Sequence, residues 1–91
     1  MKFDYHPESV PALQASILAA FEAGVERVVI GLDGLERLES GDVRSLIVLL
    51  RRAREVGGEL ALAVSRPEIL RPLKVMALDR LFPLITTRAA A

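Results

Sequence analysis

Residues 27–64 read RVVIGLDGLERLESGDVRSLIVLLRRAREVGGELALAV, and this stretch decides the fold. Its opening, Arg27-Val28-Val29-Ile30-Gly31-Leu32, has no polar alternation after the arginine and is rich in β-branched side chains. Such a run fits a strand covered on both faces, as in a parallel sheet. Asp33-Gly34 marks a turn, and residues 35–38 read as irregular chain. A helix is expected over roughly residues 41–56, stopped by Gly57-Gly58. Glu59-Leu60-Ala61-Leu62-Ala63-Val64 then reads as a second buried strand. At the centre lies the loop Leu38-Glu39-Ser40-Gly41-Asp42, and the hydroxyl of Ser40 is the first atom to consider for chemistry.

Outward from this unit the alternation of strands and helices continues. Met1-Lys2-Phe3-Asp4-Tyr5 places Met1, Phe3 and Tyr5 on one side of a short half-buried strand. After the turn His6-Pro7-Glu8-Ser9, Ser9 suits a helix cap with Pro11 in the first turn. Leu13, Ile17, Ala20, Phe21 and Gly24 fall on one face of that helix, with Gly24 as its C-cap. Downstream, Ser65-Arg66-Pro67-Glu68 carries a capping-box signature. It precedes a helix bearing Ile69, Leu70 and Leu73, which Pro72 is expected to kink or shorten. Leu78-Asp79-Arg80-Leu81-Phe82 reads as a helical turn and Pro83-Leu84-Ile85-Thr86-Thr87 as a last short strand. The expectation is one α/β domain over residues 1–91, a small, mostly parallel sheet of three to four strands with helices packed against it. It would have a short N-terminal strand at 1–5, a core over 10–87 and a frayed tail at 88–91.

Composition narrows the function classes. With 91 residues, 52% hydrophobic and aromatic only at Phe3, Tyr5, Phe21 and Phe82, the core is small and aliphatic. Twelve basic and twelve acidic residues balance, which argues against a charge-dominated nucleic-acid or membrane surface. The lack of cysteine excludes disulfides and thiolate metal sites. The single histidine, His6, reads as a turn residue and leaves no ordinary zinc ligand set. There is no signal-peptide pattern, and the longest continuous apolar run, residues 46–50, is too short to span a bilayer. A soluble cytoplasmic protein without metal or cofactor is expected. Gly31-Leu32-Asp33-Gly34 lacks the third glycine and the lysine of nucleotide-binding loops. Asp33, Glu36 and Glu39 have no histidine or nucleophile beside them, so they read as solvated loop charges and no catalytic residue is assigned.

Ser40 admits two readings. It occupies the position expected of an N-cap, where its oxygen would accept from the amide of Asp42 or Val43 for about 1 kcal/mol. The same place suits a phosphate, because the unpaired amides and positive pole of a helix N-terminus stabilise an anion. A phosphoserine would carry roughly two negative charges there. Arg44, one turn on, could reach back to it, while Glu39 and Asp42 would repel it. The helix shows an apolar arc of Val43, Leu46, Leu49, Leu50, Ala53 and Val56, with Arg44, Arg51, Arg52 and Glu55 opposite. Val48 projects among the arginines. It is either an ordinary exposed valine or, with Arg44 and Arg52, part of a partner-facing stripe beside Ser40.

These residues resemble the STAS domain family, whose best-known members are the anti-sigma-factor antagonists of bacteria. Val28-Val29-Ile30, Leu32-Asp33-Gly34-Leu35, Glu39-Ser40-Gly41, the helix over residues 46–54 and Gly57-Gly58-Glu59-Leu60 follow the family pattern without a gap. The likeness continues through Ser65-Arg66-Pro67 to Leu78-Asp79-Arg80-Leu81-Phe82, and Pro11-Ala12-Leu13 with Ile17 is similar to the opening of the family's first helix. The resemblance implies a non-enzymatic, protein-binding regulatory module. In the family a partner kinase phosphorylates the serine that falls on Ser40, and phosphorylation breaks the complex with the anti-sigma factor. It also implies that Glu39, Gly41, Asp42, Arg44, Val48 and Arg52 face a kinase-like anti-sigma factor or a related regulator. The alternative within the family is a structural or accessory subunit of a stress-signalling or lipid-transport assembly, using the same surface without phosphorylation.

The sequence departs from the family at several of these positions. Glu39 replaces an aspartate, Asp42 and Arg44 replace two glycines, Gly31 replaces a strand-end aspartate, and His6 replaces an aspartate near the first helix. The family normally has two strands before its first helix, whereas this chain has length there for about one. An open sheet edge is therefore expected, covered by a second copy or by another subunit.

Overall fold

The computed structural model describes residues 1–85. Its sheet has four parallel strands in the order β1 (Lys2–Asp4), β2 (Arg27–Gly31), β3 (Glu59–Ala63) and β4 (Leu84–Ile85). Helices α1 (Val10–Glu22), α2 (Ser40–Glu55) and α3 (Pro67–Val75) join them in turn, with single 3-10 turns at Pro7–Ser9 and Leu78–Arg80. This is the α/β, parallel arrangement that the alternating pattern implied. Thr86 and Thr87 of the expected last strand, and the tail at 88–91, lie outside the described residues.

Register explains which side chains form the core. Phe3, Ile30, Leu62 and Leu84 are lateral neighbours across the sheet, and Val28 pairs with Leu60. Val28, Ile30, Leu60 and Leu62 are buried in one cluster with Leu13 and Ile17 of α1, Leu46, Leu49 and Ala53 of α2, and Ile69 and Leu73 of α3. The opposite parity carries Val29, Gly31, Ala61 and Ala63, behind an Arg27–Glu59 ion pair of 3.4 Å. Right-handed crossovers between neighbouring strands keep successive helices on the same side of a sheet. Residues 27–32 thus differ from the expected strand covered on both faces: Val28 and Ile30 are buried against the helices, while Val29 on the other face is only half-buried.

Other local expectations need correction. Met1 is exposed rather than packed beside Tyr5. Val56 is 52% exposed because it is the C-cap of α2 and lies outside the apolar arc. Helix α3 continues through Pro72 to Val75, and the chain turns only at Ala77, whose φ of 57° is left-handed. The open edge is as expected: among the described residues β1 pairs with β2 alone. That edge strand is three residues long and bears Lys2, features that discourage pairing with further strands.

Candidate partner-binding site

The β2–α2 loop is held from two sides, and the first anchor is Asp33. Its Oδ1 accepts from the amides of Ser65 (2.9 Å) and Arg66 (3.3 Å), and its Oδ2 accepts from the Ser65 hydroxyl (2.7 Å). Arg66 Nη1 donates to the carbonyl oxygens of Asp33 (3.2 Å) and Leu35. Ser65 therefore makes no capping box. Arg66 is the N-cap of α3 and has no side-chain capping bond, while the serine is spent on the neighbouring loop. Asp33, expected to be a solvated charge, instead staples the two loops at the C-terminal ends of β2 and β3.

Burial alone would push the Asp33 carboxyl up, but hydrogen bonds from Ser65 and Arg66, with Lys2 nearby, hold it below the ordinary carboxylate range. A carboxyl more acidic in the folded than in the unfolded chain adds stability that is complete above the unfolded value and lost as pH falls through the folded one. Asp33→Asn should therefore flatten the decline in urea midpoint below about pH 4. An acid limb identical to that of the parent chain would show that the staple contributes nothing.

The second anchor is Asp42, which is 7% exposed. Its Oδ1 accepts from the Tyr5 hydroxyl at 3.0 Å and its Oδ2 from the Glu39 amide at 3.0 Å. Burial pushes the Tyr5 hydroxyl's pKa up, a hydrogen bond with the Ser45 side chain opposes this, and the Asp42 carboxylate adds to the rise, so the phenol remains a neutral donor. Asp42, expected on the partner-facing surface, is turned into the fold and ties the end of β1 to the first turn of α2.

Ser40 is not the N-cap. Glu39 takes that position, with extended φ and ψ of −104° and 164°, and Ser40 is the first residue of the helix. The Ser40 side chain is exposed. The Glu39 carboxylate accepts from Arg37 Nε at 3.2 Å. From Ser40 onward, Arg44, Val48 and Arg52 follow at intervals of four and are all exposed, giving one line along the outside of α2. Arg51 and Glu55 flank it, and Arg52 pairs with Glu55 at 3.5 Å. Gly41 is exposed beside Ser40, with open space where a Cβ would stand. The structure thus brings Glu39, Ser40, Gly41, Arg44, Val48 and Arg52 to one surface and removes Asp42 from it.

Among the described residues no group of histidine and carboxylate side chains is placed to hold a metal ion, and no helix is long and apolar enough to cross a membrane. The two anchors seat an exposed surface at the N-terminal end of α2. The family profile described as "Mlab, STAS domain" matches residues 4–86. The chain belongs to the STAS domain family. This STAS domain is 29% identical over 79 residues to "Putative anti-sigma factor antagonist BtrV" of Bordetella bronchiseptica, covering 87% of this chain and 68% of that protein. Among solved structures, an anti-sigma factor antagonist from Mycobacterium paratuberculosis superposes with a TM-score of 0.66 at 26% identity, covering 94% of this chain and 73% of the other. A Thermotoga maritima protein described in similar terms gives 0.69 at 19% identity, covering 94% and 74%, and supports the fold.

Proposed function

We propose that this STAS domain is a non-enzymatic regulatory module of the anti-sigma-factor-antagonist type. A kinase-like anti-sigma factor or related regulator docks on the loop before α2 and on its exposed line. The observation that carries this reading is the continuous exposure of Ser40, Arg44, Val48 and Arg52 along a helix whose first turn is fixed by Tyr5 and Asp42. The names of the Bordetella and Mycobacterium relatives support the partner class. Phosphorylation of Ser40 by the partner ends the contact. The γ-phosphoryl of ATP passes to the serine oxygen, ADP leaves, and the hydroxyl proton goes to the kinase. The repulsion expected around such a phosphate is reduced, since Glu39 is engaged by Arg37 and Asp42 points inward. A second reading draws on the Mlab profile: an accessory subunit that uses the same surface constitutively in a lipid-transport or stress-signalling assembly.

The test is to incubate the protein with ATP and candidate kinases from its source and to look for a phosphate-sized mass gain on Ser40. Ser40→Ala should block the gain, retain partner binding and, because the hydroxyl caps nothing, leave stability within about 0.5 kcal/mol of the parent. Ser40→Asp should weaken binding. If no kinase adds mass and Ser40→Asp binds as the parent does, the switch is wrong and the constitutive reading takes its place.

A further inference from the structure

Arg44 is the residue of α2 that helix stability does not explain. It is the fifth residue of the helix, just past the first turn, where the macrodipole gives a cation none of the benefit it has near the C-terminus. Its helical neighbours at i−4, i−3, i+3 and i+4 are Ser40, Gly41, Ile47 and Val48, none of them acidic. The two nearest acids upstream are committed elsewhere, Glu39 to Arg37 and Asp42 to Tyr5. The later arginines are accounted for: they stand toward the C-terminal pole, Arg52 pairs with Glu55, and Arg54 Nη2 donates to the Leu81 carbonyl at 3.3 Å. Between residues 43 and 54 there are four arginines and no acid, and with Asp42 turned inward only Glu55 at the far end offsets them on the exposed side of α2. A shallow depression beside Val48 is lined by Arg51, Arg52 and Glu55.

We propose that Arg44, with Arg51 and Arg52, selects an acidic amphipathic segment of the protein partner. Its carboxylates meet the guanidinium groups and an apolar side chain rests on Val48. The inference depends on α2 being the contact surface and adds the chemistry that this surface reads. A guanidinium presents a planar fork that pairs carboxylates in a bidentate way. Charges around an apolar contact set orientation, association rate and salt dependence.

The probe is a fluorescein-labelled helical peptide with leucine on one face and glutamate flanking it, titrated into the full chain and followed by anisotropy. A counterpart with lysine for every glutamate and vesicles of phosphatidylglycerol serve as comparisons. The glutamate peptide should bind more weakly as salt rises, and Arg44→Glu should weaken it on the order of tenfold. That variant should melt no more than about a degree below the parent, because Arg44 is exposed and arginine and glutamate have similar helix propensities. Equal binding of the lysine peptide, binding of the vesicles without the glutamate peptide, or undiminished peptide affinity in Arg44→Glu would overturn the proposal. If Val48→Asp abolishes peptide binding while Arg44→Glu does not, the surface is right and acidic selectivity is wrong. If neither variant changes binding, α2 is not the contact surface and the proposed function fails with it.

Discussion

Asp42→Ala should cost about 3 kcal/mol of folding stability and lower the melting temperature by roughly 15–20 °C. Three losses coincide. The Glu39 amide at the start of α2 loses its acceptor, worth about 1 kcal/mol in comparable capping contacts. The first turn loses a negative charge that favours the helix pole, typically about 0.3–1 kcal/mol. The Tyr5 hydroxyl, in a residue only 2% exposed, loses the carboxylate it donates to and keeps only the Ser45 side chain beside it, at about 1–3 kcal/mol. These contributions share one carboxylate, so they do not simply add. Asp42→Asn should be milder, near 1 kcal/mol, because its amide oxygen and amino group still offer an acceptor to the Glu39 amide and a donor to the phenol oxygen. In the double variant Tyr5→Phe, Asp42→Ala no hydroxyl is orphaned, so it should lose less than the two single variants together. Circular dichroism melts of all four chains measure the coupling. Melting of Asp42→Ala within a few degrees of the parent would remove Asp42 as the anchor of the site.

This anchor shows why part of the site was illegible in the sequence. The β-branched run of β2, the leucine arc of α2 and the two glycines that end it are local signals, read within a few neighbouring residues, and the structure bears them out. The role of Asp42 is not local. In sequence it is one more acid in a charged loop, and only the docking of β1 brings in Tyr5, 37 residues away, to bury it. Asp33 repeats the pattern across 32 residues: Ser65 looks like a cap for its own helix because the competing carboxylate lies beyond a whole helix–strand unit. Ser40 was misplaced by a single position. Glu39 and the acid three residues after it form the helix start, a pattern more easily seen with serine or threonine in the first place. The exposed line through Arg44, Val48 and Arg52 was legible because it follows from helical spacing alone.

Val48→Asp should lower partner affinity about 100-fold or more while leaving folding stability within about 0.5 kcal/mol. The fold is insensitive because Val48 is 42% exposed and lies outside the buried cluster. Valine and aspartate also have similar helix propensities. In the free protein the new carboxylate sits one turn from Arg44 and from Arg52, a spacing at which ion pairs add a few tenths of a kcal/mol. Binding suffers for two separate reasons. A charge takes the place of the apolar side chain at the middle of the contact, and desolvating it is costly. It also draws Arg44 and Arg52 away from the partner's carboxylates. A carboxylate placed at Ala15, exposed on α1, provides the contrast, since α1 lies off the proposed surface and Ala15→Asp should bind as the parent does. Affinity is read by titrating the isolated partner against the parent and both variants, with thermal melts confirming that each remains folded. Equal loss in Val48→Asp and Ala15→Asp would point to a non-specific effect of added negative charge. Loss confined to Val48→Asp, with a gap to the parent that narrows at high salt as arginine–carboxylate pairing matters less, is the outcome that a contact centred on α2 requires.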